Sequence, residues 1–161
     1  MVIKVGDKLP DGKVTVMGED GPEQAAIADV LGEQTTVLFA VPGAFTPTCS
    51  ARHLPGFRDL SEQLAEKGIG KIACIAVNDI FVLEAWKTSQ DVEDQIVMIS
   101  DGNGEFTRAL GLDLDASGYG MGLRSQRYSM LLDPDGTVRM LNVEEGADFS
   151  VSSAEYLIEN L

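Results

Sequence analysis

The sequence predicts an α/β domain built on a mixed β-sheet flanked by helices. Two observations carry this. Short, continuously apolar, β-branched runs at 35–41 and 71–77 alternate with segments of helical periodicity, and a later pair of strand-like runs flanks the turn Asp133-Pro134-Asp135-Gly136. Apolar runs set between helices suit parallel strands buried on both faces, whereas a tight turn joins antiparallel neighbours, so both pairings occur in one sheet. At 161 residues and 44% hydrophobic content, with no Ser/Gly-rich linker, the chain is expected to form one domain over residues 1–161.

In chain order, residues 1–12 are mixed and Pro-containing and read as an irregular surface arm. Lys13 to Met17 alternates in polarity and runs into Gly18-Glu19-Asp20-Gly21-Pro22, so it reads as the first arm of an N-terminal hairpin. Between Gln24 and Leu31, the spacing of Ala26, Ile27, Val30 and Leu31 predicts a helix that stops at Gly32. Thr35 to Val41 (TTVLFAV) is a buried strand that delivers the chain into Pro42-Gly43-Ala44-Phe45-Thr46-Pro47-Thr48-Cys49. Beyond Cys49, the spacing of Leu54, Phe57, Leu60 and Leu64 predicts a helix ending near Gly68. Pro55 should kink it, because proline lacks an N–H and crowds the preceding turn.

Lys71 to Val77 (KIACIAV) is the second buried strand, followed by a helix at Asp79 to Ser89 and a strand at Ile96 to Ile99. A short helix at Phe106 to Leu110 precedes a Gly-rich loop, Asp115 to Gly122. Tyr128 to Leu132 and Thr137 to Leu141 pair across the Asp133–Gly136 turn, and Ser153 to Leu161 closes the chain as a helix.

Charge narrows the function classes. A formal charge of -14 and a pI near 4.2 disfavour nucleic acid and anionic membranes, since phosphate binding depends on clustered Lys and Arg. No apolar run approaches the ~20 residues of a membrane span, and MVIKVGDKLP lacks the apolar core of a secretory signal, so a soluble cytoplasmic protein is expected. Cys49, Cys74 and the single histidine, His53, supply neither a disulfide framework nor zinc-ligand spacing, and no structural metal site is expected. Gly68-Ile69-Gly70 precedes a strand rather than following one, which argues against a phosphate loop. The carboxylates of Asp91-Val92-Glu93-Asp94 and Glu144-Glu145 read as solvated surface.

The reactive chemistry lies at Cys49. Thr46-Pro47 fits a helix N-terminus, because proline is tolerated at the first helical position and pushes the residue before it out of α geometry. That places Cys49 in the first turn, where free N–H groups and the helix dipole favour a thiolate over a thiol. In a regular turn Arg52 and His53 would lie over the same face and add cationic character. A lone cysteine is also commonly a small buried hydrophobe, and both readings stand on spacing alone. The position beyond the carboxyl end of a buried strand, where sites gather in α/β sheets, favours a site. His53 as a base four residues along the same helix has unusual geometry for a protease-like pair, so a structural or supporting-donor role fits it better.

Pro42-Gly43-Ala44-Phe45-Thr46-Pro47-Thr48-Cys49 matches the peroxiredoxin signature P-x-x-x-T-x-x-C. Together with His53-Leu54-Pro55-Gly56-Phe57, Ile75-Ala76-Val77-Asn78-Asp79, Ala85-Trp86, Arg127-Tyr128-Ser129-Met130 and Asn142-Val143-Glu144, it resembles the type II, or type-five, peroxiredoxins over essentially the full chain. The resemblance implies a thioredoxin-like fold and a thiol peroxidase that requires no metal or organic cofactor, since one cysteine, one hydroxyl and one arginine can run the reaction. In that role Cys49 attacks the peroxide O–O bond, Thr46 hydrogen-bonds the thiolate and the bound peroxide, and Pro42 shields the thiolate. Arg127 stabilises the thiolate and the developing oxygen charge, aided by backbone N–H groups around Thr48 and Cys49.

Some members of the subfamily resolve the sulfenic acid with a cysteine near the C-terminus, but Phe149-Ser150-Val151-Ser152-Ser153 contains none. Cys74 is a resolving or a structural cysteine, and its mid-strand position favours the latter, because a disulfide requires Cα atoms within about 7 Å. An external reductant is expected, glutathione with glutaredoxin ahead of thioredoxin, and the resemblance further implies a homodimer. Arg52, Arg58, Arg124 and Arg127 all lie in segments expected to approach Cys49 and to form a local basic field. A non-catalytic thioredoxin-like binding or chaperone module is the alternative; Cys49→Ser would leave its function unchanged.

Overall fold

The computed structural model describes residues 2–161. Strands β3 (Thr36–Ala40) and β4 (Lys71–Ala76) run parallel in the middle of a seven-stranded sheet, and only Lys71 among their residues is not buried. β5 (Val97–Ser100) extends the parallel set beyond β4. On the other side β8 (Tyr128–Leu132) pairs antiparallel with β3, and β9 (Val138–Val143) with β8. The N-terminal hairpin, β1 (Lys13–Gly18) and β2 (Gly21–Ala26), adds antiparallel to β5, giving the order β2-β1-β5-β4-β3-β8-β9. A separate two-stranded ribbon joins β6 (Asp113–Asp115) to β7 (Leu123–Ser125).

Side chains of a strand alternate between faces, and the central strands feed two cores accordingly. Val37, Phe39, Ile72, Cys74 and Ala76 face α2 (Leu54–Asp59), α3 (Ser61–Glu66), α4 (Ile80–Ser89) and α6 (Ala154–Glu159), through Leu54, Phe57, Leu64, Leu83, Trp86 and Leu157. Leu38, Ala40, Ala73 and Ile75 face α1 (Ile27–Leu31) and α5 (Glu105–Leu110), through Ile27, Leu31, Phe106 and Leu110. Asp79 caps α4 by accepting from the Val82 N–H, and Ser153 caps α6 by accepting from Tyr156.

Three expectations are corrected. Residues 24–26 are strand, paired with 13–15 of β1, and helix starts only at Ile27. Gly21, at φ 122°, reverses the chain and offers the following backbone a ladder partner, so pairing overrides a helical spacing. The N-terminal arm is irregular but not merely superficial. Ile3 is buried and donates to the Leu110 carbonyl, while Gly6 and Leu9 donate to Val138 and Gly136. Finally, the helix after Cys49 is not one regular rod. It begins at Pro47, widens into a π-helical turn over Cys49–His53, continues as α2, breaks at Leu60 (φ -101°) and resumes as α3. Pro55 supplies the physical reason for the wide turn, since it has no N–H to give and its ring crowds the carbonyl one turn back. The Leu54 N–H reaches the Cys49 carbonyl, five residues earlier.

Candidate active site

The loop from β3 to this helix is a tight, well-bonded turn. The Thr46 N–H and hydroxyl both donate to the Gly43 carbonyl, at 3.4 and 2.7 Å, and Phe45 between them takes a left-handed conformation (φ 65°). The Ala44 N–H donates to Asn78 Oδ1 at 2.9 Å, tying the loop to the end of β4. Gly43 keeps this approach uncrowded, since a Cβ there would lie a tight 3.2 Å from both Met121 Cε and Thr46 Cγ2. Pro42 is half-buried at the head of the loop. In the helix beginning at Pro47, the N–H groups of Thr48 and Cys49 have no carbonyl one turn back inside the helix and point toward its open end. The first turn is also held from outside, as Trp86 Nε1 of α4 donates to Ser50 Oγ at 3.0 Å.

Cys49 is fully buried, and Arg127, immediately before β8, reaches it across 78 residues of sequence. One guanidinium nitrogen donates to Cys49 Sγ at 3.0 Å and another to His53 Nδ1 at 2.9 Å. Arginine has no acceptor, so His53 Nδ1 must be unprotonated, and Nε2 carries the proton that it donates to the Ser152 carbonyl at 3.0 Å. Burial first, and the Arg127 charge second, lower the His53 pKa from 6.5 to about 3, against the raising effect of the Ser152 carbonyl. His53 is therefore a neutral acceptor packed against Phe39, Phe57 and Phe149, and the expected cationic contribution from it does not exist.

Arg127 is itself buried, and among the described residues no carboxylate pairs with it. An uncompensated buried charge is costly. A Cys49 thiolate is the anion within reach, and the 3.0 Å contact is the charge-assisted hydrogen bond that would hold it. Thr46 does not bond the sulfur; its proton is committed to Gly43, which leaves its oxygen as an acceptor. Of the remaining arginines, Arg52 lies over the Phe149 ring at 4.6 Å, the same ring that Arg127 approaches at 5.9 Å. Arg58 is engaged by Gln90 and Asp59, and Arg124 by the Val77 and Met121 carbonyls, so the expected cluster of four reduces to Arg127 and Arg52 around one ring.

Cys74 is a free, fully buried thiol between Phe39 and Met98 in the sheet register. It belongs to the same core as Cys49. Burial pushes its pKa well up, the charge of Cys49 pushes it further, and Arg127 lowers it less.

Glu144 is the residue that sequence reasoning misplaced. Far from being solvated, it is 4% exposed. Its Oε2 accepts the N–H groups of Ser150, Val151 and Ser152 at 2.8, 2.9 and 2.8 Å and the Ser152 hydroxyl at 2.6 Å. Burial works to raise its pKa, but the hydrogen bonds from Ser152, Val151 and Ser150 outweigh that and hold it below the usual carboxylate value. A signal did exist, since Glu144 directly follows the strand-like run Met140-Leu141-Asn142-Val143, but only closure of the loop onto it gives it partners. Glu145 is exposed, as expected.

Comparison with known proteins finds a match to the Redoxin family model over residues 4–158. The chain is 47% identical to the chloroplastic Peroxiredoxin-2E of Arabidopsis thaliana, covering 99% of this chain and 69% of that protein. It is 49% identical to the chloroplastic Peroxiredoxin-2E-2 of Oryza sativa, over 99% and 72% respectively. Among solved structures it resembles reduced Prx3 of Vibrio vulnificus in complex with hydrogen peroxide, at TM-score 0.94 and 45% identity, covering 99% of both chains. The expectation of a cytoplasmic protein is corrected by these relatives, two of which are chloroplastic. The composition that suggested it reports solubility and charge, which do not distinguish one aqueous compartment from another.

Proposed function

The chain belongs to the peroxiredoxins of the redoxin family and is a thiol peroxidase, and on that premise we propose that Cys49 is the sulfur that peroxide oxidises. The observation that carries the assignment is the buried Arg127 guanidinium, 3.0 Å from Cys49 Sγ and without a carboxylate partner among the described residues. The thiolate attacks one peroxide oxygen, an S–O bond forms as the O–O bond breaks, and the sulfur loses two electrons to become a sulfenic acid. The departing oxygen takes up a proton and leaves as water or an alcohol. Negative charge moves from sulfur to oxygen along this path, and Arg127 beside the sulfur, with the free N–H groups of Thr48 and Cys49, is suited to stabilise it. The Thr46 oxygen is free to accept from the peroxide O–H, and Pro42 limits access of water. The reduced Vibrio protein, 45% identical to this chain, is in complex with hydrogen peroxide, which supports peroxide as the substrate.

Peroxiredoxins are reduced by thiol proteins. For this chain the reading is an external thiol, glutathione with glutaredoxin before thioredoxin, with Cys74 structural. Its support is the absence of cysteine from 149–153 and the burial of Cys74 in β4. A homodimer fits the exposed Phe45 beside the Cys49 loop, and the domain reading of residues 1–161 fits the one large sheet shared by both cores.

Stopped-flow oxidation by hydrogen peroxide, followed by turnover with each reductant, tests the proposal. Oxidation should disappear in Cys49→Ser, while Cys74→Ser should turn over with glutathione and glutaredoxin as the parent does. Loss of turnover in a folded Cys74→Ser protein would make Cys74 the resolving residue.

A further inference from the structure

Glu144 touches no reacting atom, yet an unbroken set of hydrogen bonds runs from it to Cys49. Its carboxylate holds the N–H and hydroxyl of Ser152. The Ser152 carbonyl accepts from His53 Nε2, His53 Nδ1 accepts from Arg127, and Arg127 donates to Cys49 Sγ. We propose that Glu144 is a positioning residue for the peroxidase reaction, clamping the 150–152 backbone so that the Ser152 carbonyl fixes His53 as an acceptor and His53 aims the guanidinium at Cys49.

Each link has a physical reason. An imidazole ring can carry its proton on either nitrogen, and with the proton on Nδ1 it would face Arg127 donor to donor. The Ser152 carbonyl removes that choice by binding the proton at Nε2. That carbonyl lies on an irregular segment after β9, of which residues 145–148 are exposed, so its position depends on an anchor. Glu144 is that anchor, as one carboxylate oxygen collects three successive backbone N–H groups and a hydroxyl. Charge-assisted bonds of this kind are about twice as strong as neutral ones, which suits a carboxylate to the task better than an amide or a hydroxyl. The same segment carries Phe149, whose ring packs on His53 at 5.1 Å and lies under both Arg52 and Arg127. Loosening it would disturb the Arg127 site from two sides.

The proposal rests on the peroxidase reading, and its test separates the two. His53 is the only histidine, so a long-range 1H–15N NMR spectrum reports its tautomer without overlap. In the parent, the Nε2–H form should dominate at neutral pH. In Glu144→Gln, which keeps an acceptor but loses the charge, the Nδ1–H form should become visible and peroxide oxidation should slow by about tenfold. In Glu144→Ala both changes should be larger, the oxidation slowing by about a hundredfold, as a misplaced catalytic donor allows. Should Glu144→Ala not fold, Glu144→Gln decides on the same two readouts. Unchanged tautomer in a folded variant overturns the proposal, whether or not the rate falls, since a rate loss alone would mean general loosening. A parent protein that fails to consume peroxide would sink the peroxidase reading, while the tautomer comparison would still decide the role of Glu144.

Discussion

For individual residues, the site is a contest over where protons and charges sit. Arg127 has two acceptors, Cys49 Sγ and His53 Nδ1, and a planar fork reaches both at once. A lysine there would present a point charge on a flexible stem and could not hold both geometries. Arg127→Lys should therefore slow peroxide oxidation by at least ~100-fold, the usual cost of losing one oriented donor, while leaving the protein folded. Stopped-flow fluorescence of Trp86, which is bonded to Ser50 beside Cys49, would report the rate; a change below a few-fold would remove Arg127 from the reaction. The residues proposed for the reaction, Cys49, Thr46, Pro42 and Arg127, were all nameable from the signature and its resemblance. The His53 tautomer and the Glu144 clamp were not, because each depends on a carbonyl or a backbone segment from residues 150–152, about a hundred positions from His53.

Among the elements, the π turn is one that local pattern could not foresee. Apolar spacing at Leu54, Phe57 and Leu60 is compatible with a regular helix, and Pro55 signals only that something must yield. What yields is the turn before it, and the wider turn places His53 inward among Phe39, Phe57 and Phe149. α4 braces this turn through the Trp86–Ser50 hydrogen bond. Trp86→Phe removes that donor and part of a fully buried ring, so it should destabilise the fold by about 1–3 kcal/mol, read as a lower urea midpoint. It should also slow oxidation, because the turn carrying Cys49 loses its outside tether. Stability loss with an unchanged rate would show that the turn holds its shape without α4.

Across the fold as a unit, burying His53 and Glu144 ties stability to pH. The folded-state pKa of His53, about 3, lies below the 6.5 of the unfolded chain. The unfolded state therefore binds the proton first as pH falls, so the stabilisation is complete above 6.5 and is lost steadily down to about 3. Glu144, also lowered, adds a loss of the same sign at lower pH, as acid falls through its own folded value. With one histidine in the chain, the slope of unfolding free energy between about pH 6 and 5 should approach ~1.4 kcal/mol per pH unit and should flatten in His53→Gln. Urea titrations across that range would check it; a flat parent profile would mean that folded His53 takes up a proton. The class of fold, the central strands and the late hairpin were legible in the residues alone, because they depend on local periodicity and turn chemistry, and the stretch proposed to be reactive, ending at Cys49, was legible through a contiguous signature. The extent of the N-terminal hairpin, the widened turn, the neutral state of His53 and the burial of Glu144 emerged only on folding. Each of those is fixed by contacts that folding brings together, and a hydrogen-bond partner supplied in that way is not written in the residues on either side.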